Sequence, residues 1–536
     1  MPNVIQGGFF MKREDLIAPE EYNLVEEIEK FAVNPEKIAI KFENELGSKD
    51  YITYDALIRR ANQVANVFVK HGLQKGDVVL IMVPRLIDAY ITYVAALKAG
   101  LVVIPSSEML RAKEIDYRLV HSNAKAVIAY EPFLEQFDQV KNLQNVQQYV
   151  IGQGHASWIE MIQEAEKESE QFVNAKTKSE DMAFLSYTSG TTGNPKGVVH
   201  THGWAYAHLK TAAAHWLDIH EGDLVWATAS PGWQKWIWSP FLSVLGSGAT
   251  GFVYNGRFHA DKYLSLLQEY QIQVLCCTPT EYRIMAKVDN LSDYNLSSLQ
   301  SAVSAGEPLN EEVIKTFKKY FNLDVRDGYG QTENTLLIGN LKGAPTKLGA
   351  MGKPTPGNVV DVVDEDGQPC PPGVVGDIAV HRSTPALFKE YLNDPERTAR
   401  QFRGDYYITG DRAKKDEDGY FFFEGRNDDI IISSGYTIGP FEVEDALVKH
   451  PEVQECAVVA SPHEVRGNIV KAFIVLKDAS KASEQLIKEL QEHAKNLTAP
   501  YKYPRAIEFV NSLPKTSSGK IRRIELREKE KNKINI

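Results

Sequence analysis

The sequence predicts an α/β protein: a large N-terminal domain, residues 1–427, of stacked and mostly parallel α/β sheets with a small β-rich subdomain, and a small C-terminal α+β domain, residues 428–536. Three observations carry this. Helical periodicity alternates with uninterrupted apolar runs over the first 300 residues, as when a parallel sheet is covered by helices on both faces. Pro and Gly cluster at Pro369-Cys-Pro-Pro-Gly373 between Val/Asp-rich strand patterns, marking a β-rich piece to about Glu424. After Asp428 a compact helix and strand pattern resumes for about 100 residues, a typical domain size. A chain of 536 residues also exceeds what one hydrophobic core usually organises.

The elements follow in chain order. Leu57, Ala61, Val64, Ala65 and Phe68 share one face at helical spacing, and Gly72 closes that helix. Val78–Val83 reads as a buried strand, followed by a helix through Ala96 and a strand at Leu101–Ile104. The pattern recurs at Ala126–Ala129 and Val274–Cys277, while polar Gln163–Lys178 reads as a surface helix and loop. Met182–Tyr187 reads as a strand. In the last part, Pro440 suits a helix start, Val443, Ala446, Leu447 and His450 follow at helical spacing, and Val453–Ala460 and Val470–Leu476 read as strands.

The chemistry concentrates in short segments. Tyr187-Thr-Ser-Gly-Thr-Thr-Gly-Asn-Pro-Lys196-Gly197 packs three glycines, four aliphatic hydroxyls and a lysine into eleven residues. Glycines let backbone N–H groups approach an anion, hydroxyls donate to its oxygens, and lysine neutralises charge. It differs from a Walker A loop, which needs Gly-Lys-Ser/Thr opening a helix; here Pro195 precedes the lysine and Gly197 follows it. Asp327-Gly-Tyr-Gly-Gln-Thr-Glu333 offers an aromatic face for a base, a hydroxyl for phosphate and a carboxylate for Mg²⁺. Then come Tyr407-Ile-Thr-Gly-Asp411, Gly425–Tyr436 and Pro514-Lys-Thr-Ser-Ser-Gly-Lys-Ile-Arg-Arg523.

These segments, in this order, resemble the adenylate-forming superfamily of acyl-CoA synthetases, luciferases and adenylation domains, from about Tyr22 to Lys529. Ser434-Gly-Tyr436, Ala499–Arg505 and the Lys-Thr-x-x-Gly-Lys ending look like the short- and medium-chain acyl-CoA synthetase branch. The resemblance implies an enzyme that joins a small carboxylate to coenzyme A with ATP and Mg²⁺ through an acyl-adenylate. In that scheme Thr188, Ser189, Gly190, Thr191, Thr192, Gly193 and Lys196 embrace the β- and γ-phosphates. Tyr329 stacks on adenine, Asp327 contacts its amine, and Gly306, Glu307, Pro308, Gly328, Gly330 and Gln331 belong to the same nucleotide site. Thr332 meets the α-phosphate, Glu333 helps hold Mg²⁺, and Asp411 binds the ribose with support from Arg426.

Lys520 is the expected catalytic cation, with Thr188 and Glu333 beside it: a flexible ammonium bridges carboxylate and α-phosphate oxygens as charge moves between them. Asp428 is the expected hinge, about which the small, mobile C-terminal domain turns to replace Lys520 by Ser434, Gly435 and Tyr436; Arg466, Lys495 and Tyr503 are then expected on CoA. Thr437 stands where related enzymes often carry arginine. For the acyl pocket, Trp233 is an expected wall, and Gly330 stands where acetate-specific relatives carry a closing tryptophan, so glycine is expected to leave volume open for acids larger than acetate. Trp236 and Trp238 read equally as core or pocket.

The net charge of −11 argues against a nucleic-acid partner. Four cysteines without metal-ligand spacing fit a reducing cytoplasm. No basic, apolar leader and no apolar run near 20 residues is visible, so neither secretion nor a membrane span is expected. Short branched or medium-chain acids are the expected substrates, with oligomeric state open. The alternatives are delivery to a carrier protein, acetate as substrate, and a non-catalytic nucleotide-binding protein.

Overall fold

The computed structural model describes residues 4–6, 9–188, 194–433, 436–463, 466–498, 500–516 and 519–533. Among them, two large sheets carry most of the first 355 residues, and strand Glu390–Tyr391 adds to one of them. The first has eight strands, ordered Glu390–Tyr391, Lys196–Thr201, Met182–Thr188, Val102–Pro105, Val78–Met82, Ala126–Tyr130, Gln147–Ile151 and Ile159–Glu160. It is parallel from Met182–Thr188 onward and antiparallel at the Lys196 and Glu390 strands. The second has nine strands: Lys353–Pro354, Leu336–Gly339, Val325–Gly330, Ser301–Ala305, Val274–Cys277, Leu224–Ala227, Thr250–Asn255, Ile38–Asn44 and Lys49–Thr53. Its central pairs are parallel and its edges antiparallel.

Alternation of side chains explains why these strands read as continuous apolar runs. Val79 and Ile81 face a central core shared with Ile40, Val225 and Val274 of the other sheet, with Leu57, Phe68, Tyr90, Trp204 and Trp216 of intervening helices between them. Val78, Leu80 and Met82 face the opposite side, against Ile115, Leu119 and Phe137. Trp226 and Leu275 likewise turn outward to Tyr263, Leu267 and Phe317. The stack is therefore helix, sheet, helix, sheet, helix.

Helix Tyr54–Lys70 is capped by Thr53, whose hydroxyl accepts from the Ala56 N–H, and its core face carries the five residues expected. The β-rich piece is an antiparallel sheet of Val360–Val363, Gly376–His381, Phe402–Arg403, Tyr406–Lys415 and Phe421–Arg426. It begins earlier than the Pro369 cluster, which lies in a turn between its first two strands. In residues 431–532 an antiparallel pair, Val453–His463 with Gly467–Leu476, takes Ala506–Phe509 in parallel and packs against helices Pro440–Val448, Glu484–Leu497 and Arg523–Asn532. No helix among the described residues is long and apolar enough to cross a membrane.

Candidate active site

The site forms where the parallel strands Ser301–Ala305 and Val325–Gly330 end, the usual place for ligands in open α/β sheets. Beside them, Met182–Thr188 and Lys196–Thr201 make a hairpin in which Thr188 pairs with Lys196. Its turn, Ser189 to Gly193, lies outside the described residues, as do Ser434 and Gly435. The hydroxyl of Thr188 is buried without a hydrogen-bond partner. A buried hydroxyl left unpaired costs stability, which marks a place for a ligand oxygen.

Lys196 Nζ lies 3.6 Å from Glu333 Oε1 and 3.5 Å from Tyr391 Oη, and the Tyr391 hydroxyl donates to the same Glu333 oxygen at 2.8 Å. The hairpin lysine and the loop carboxylate therefore meet. Among the described residues no cluster of three His, Cys, Asp or Glu surrounds Glu333. A single carboxylate suits Mg²⁺, which is usually held by one or two carboxylates with phosphate oxygens and waters.

Across the site the Tyr329 hydroxyl donates to Asp411 Oδ2 at 2.6 Å. Gln331 Nε2 donates to that oxygen at 3.0 Å and to the Thr409 carbonyl at 2.9 Å. Arg426 pairs with Asp411 across neighbouring strands, its Nε 3.9 Å from Oδ1 and 3.6 Å from Asp428 Oδ1. Burial raises the Asp411 carboxyl, a trend opposed by Tyr329, Arg426 and Lys520. Asp327 is buried as well: burial pushes its carboxyl up to about 8 against a 2.8 Å hydrogen bond from the Gly328 N–H.

Gly306, at φ +112°, opens the opposite wall, and Cε of Lys520 lies 3.7 Å from where a β-carbon would stand. Lys520 is surrounded by protein on most sides although water reaches it. This desolvation lowers its ammonium, opposed by the charges of Glu307 and Asp411. Glu307 accepts from the Thr280 hydroxyl at 3.2 Å. Thus Lys196, Gly306, Glu307, Asp327, Tyr329, Gln331, Glu333, Asp411, Arg426 and Lys520 converge from remote segments.

The expected CoA residues form a separate group. Lys495 Nζ sits 4.5 Å above the Tyr503 ring, Arg505 donates to the Tyr503 hydroxyl at 2.8 Å, and Arg466 immediately precedes strand Gly467–Leu476. Tyr436 opens strand Tyr436–Ile438.

The acyl side corrects one expectation. The volume over Gly330 is not open: a β-carbon there would fall 2.1 Å from the Thr335 carbonyl oxygen and 2.8 Å from Trp238 Cη2. Trp238, reached from another segment, fills the space. Trp236 is core, 4.7 Å from Tyr93 and stacked 5.4 Å from Phe241. Trp233 is half-buried at the start of helix Gln234–Trp236, and a β-carbon at Gly232 before it, at φ +104°, would fall 2.5 Å from the Ser107 nitrogen.

Sequence reasoning missed Lys235 and Trp216. Nζ of Lys235 is buried without a hydrogen-bond acceptor, 5.0 Å from the Trp216 ring centre and 5.5 Å from that of Trp238. The spacing Lys235-x-x-Trp238 was visible in the sequence, but only folding brings Trp216 to it.

Known proteins are similar to this chain. The family model of the AMP-binding enzyme covers residues 28–392, and that of the AMP-binding enzyme C-terminal domain covers 442–520. The protein named uncharacterized acyl-CoA ligase YtcI from Bacillus subtilis is 62% identical over 520 residues, 97% of this chain and 98% of its own. The mitochondrial acyl-coenzyme A synthetase ACSM3 of Mus musculus is 41% identical over 529 residues, 96% of this chain and 91% of its own. The crystal structure of the anthranilate CoA ligase AuaEII in complex with anthranoyl-AMP superposes with a TM-score of 0.91 at 30% identity, covering 98% of this chain and 100% of that one.

Proposed function

The chain belongs to the AMP-binding enzyme family and is an ATP-dependent acyl-CoA synthetase, and from that premise we propose that it activates short branched or medium-chain acids with the residues gathered at Asp411 and Lys520. Its substrates are a carboxylate, ATP and CoA, with Mg²⁺. A carboxylate is a poor acyl donor because its oxygen is a poor leaving group, so the site must hold carboxylate and α-phosphorus together and stabilise departing pyrophosphate.

Thr188 and Lys196 receive the β- and γ-phosphates, and the unpartnered Thr188 hydroxyl supports this. Glu333 would help hold Mg²⁺, which would neutralise phosphate charge there. Asp411 binds the ribose, Tyr329 and Asp327 the adenine, and Thr332 the α-phosphate. Lys520, already beside Gly306, bridges carboxylate and α-phosphate oxygens. The joint at Asp428 and the group of Lys495 and Tyr503 serve the thioester-forming step, in which the CoA thiolate attacks the acyl carbon and AMP leaves.

The observation that carries the substrate class is the Trp238 ring over Gly330. With Trp216, which shares the Lys235 ammonium with it, this ring gives a bulky wall that favours compact branched C4 to C5 acids over long chains, and Trp233 is proposed to line the same pocket. Each buried methylene is worth about 0.8 kcal/mol, so neighbouring lengths are tolerated. We place the enzyme in the cytoplasm, where its four buried free thiols would stay reduced.

The test is AMP formation from ATP and Mg²⁺ across acids from acetate to decanoate, with isobutyrate, 2-methylbutyrate and benzoate, with and without CoA. CoA-dependent turnover greatest for branched C4 to C5 or medium-chain acids is expected; a maximum at acetate or benzoate overturns the substrate class. In Lys520→Ala, adenylate formation should fall by about 10²-fold or more while a supplied acyl-adenylate is still converted to thioester. Equal loss of both steps overturns the role of Lys520.

A further inference from the structure

The loop Gln331–Thr335, which presents Thr332 and Glu333, is held from behind by groups that the reaction does not use. His200 Nε2 lies 2.5 Å from the Thr332 carbonyl oxygen. The Phe388 N–H donates to the Glu333 carbonyl at 2.7 Å, and Trp204 Nε1 donates to the Asn334 carbonyl at 3.0 Å. His208 Nδ1 lies 2.8 Å from the Thr335 hydroxyl. Three successive carbonyls and the next side chain are each engaged, so the peptide planes carrying Thr332 and Glu333 are set from outside the site.

Three of these groups form a stack. His200 packs 4.6 Å from Trp204, which lies 5.1 Å from His208 at an interplanar angle of 20°. All three rings are buried, and Thr201 caps the helix that carries Trp204 and His208.

The chemistry of the partners assigns the protons. A carbonyl only accepts, so His200 carries its proton on Nε2; its Nδ1 is buried without a partner, which disfavours a second proton. His208 Nε2 faces the Trp238 carbonyl at 2.8 Å, so it donates there and its Nδ1 accepts from Thr335. His208 therefore joins the loop to the acyl-pocket wall. Neutral rings hold the loop without placing another cation beside Glu333, where Lys196 already lies and Mg²⁺ must bind.

We propose that His200, backed by Trp204 and His208, is a positioning residue for adenylate formation that fixes the Thr332–Glu333 backbone toward the nucleotide. This rests on the assignment of Thr332 and Glu333 to the phosphate and metal site.

The experiment compares full-length His200→Leu, His200→Gln, Trp204→Phe and Glu333→Gln in acid-dependent pyrophosphate release, MgATP dissociation constant and melting temperature. His200→Leu keeps volume but removes the donor, and kcat should fall at least 10-fold, with weaker MgATP binding and the KM for the acid within 3-fold. His200→Gln, whose amide N–H₂ lies near the same reach, should recover to within 5-fold. Equal kcat for the Leu and Gln variants, or full activity of both, overturns the proposal. If His200→Leu does not fold, Trp204→Phe is read in its place: kcat should fall 3-fold or more at unchanged KM for the acid, and an unchanged kcat overturns it. Full activity of Glu333→Gln would instead overturn the underlying site assignment, a result distinguishable from a failure at His200.

Discussion

Asp327 shows how burial changes what a motif residue can do. Its carboxyl, pushed up to about 8, keeps its proton at neutral pH, so asparagine preserves its shape and hydrogen-bonding capacity. Asp327→Asn should leave the KM for ATP within about 3-fold, while Asp327→Leu should raise it about tenfold or more, each by initial-rate kinetics. The sign for stability follows from linkage. The folded state holds this proton between the usual carboxylate range and pH 8 while the unfolded chain has lost it, so stability falls as pH rises through that window. Asp327→Asn should flatten the fall. Gly330 makes the opposite point. Any β-carbon there meets the Thr335 carbonyl and Trp238, so Gly330→Ala should destabilise by about 1–3 kcal/mol in denaturant melts and lower turnover. The motif made this glycine conspicuous, but its reason is close approach of the Thr335 carbonyl and the Trp238 ring rather than open space.

At the scale of elements, helix Pro440–Val448 joins residues 431–526 to the large sheets. Proline fits its first turn, where an N–H has no helical partner. Buried Glu444 takes a fork from Arg523, with Nη2 at 2.8 and 2.7 Å from its two oxygens, and accepts from the Val458 N–H at 2.8 Å. On the outer side Asn310 donates to Asp445 at 3.0 Å and Lys449 pairs with Glu311 at 3.3 Å. Lys287 donates to the carbonyls of Val448 and Val453, and burial lowers its ammonium to about 8. Breaking one side of a buried pair leaves an uncompensated charge. Glu444→Ala should therefore cost about 3–5 kcal/mol, seen as faster hydrogen exchange confined to residues 431–526. The helix and its strands were legible from periodicity. Its partners Asn310 and Lys287 were not, because a lone asparagine or lysine carries no pattern of its own.

For the molecule as a whole, the buried histidines link the central core to pH. Burial lowers His200 and His202 to about 4 and His208 to about 3. The unfolded chain binds these protons near pH 6.5 and the folded protein resists them, so stability is complete above that pH and is lost as pH falls toward 4. Each ring should account for about 1–3 kcal/mol of this loss at pH 4. The melting temperature measured by circular dichroism should drop steeply between pH 6.5 and 4.5, and less steeply in His202→Asn, since that ring accepts from the Leu24 N–H at 3.2 Å rather than touching the site loop.

The layered α/β plan and the segments that meet around Asp411 and Lys520 could be read from the chain because periods of 2 and 3.6 and short glycine, hydroxyl and carboxylate motifs are local properties. Val78–Met82, Val274–Cys277 and Asp327–Glu333 announced themselves in this way. The start of the β-rich sheet at Val360, the Trp238 ring over Gly330, the unpartnered Lys235 between two tryptophans and the His200 hold on Thr332 came from the fold. Each of these depends on how strands register or on which side chains from distant segments share a core, and close packing settles that only when all the layers are in place.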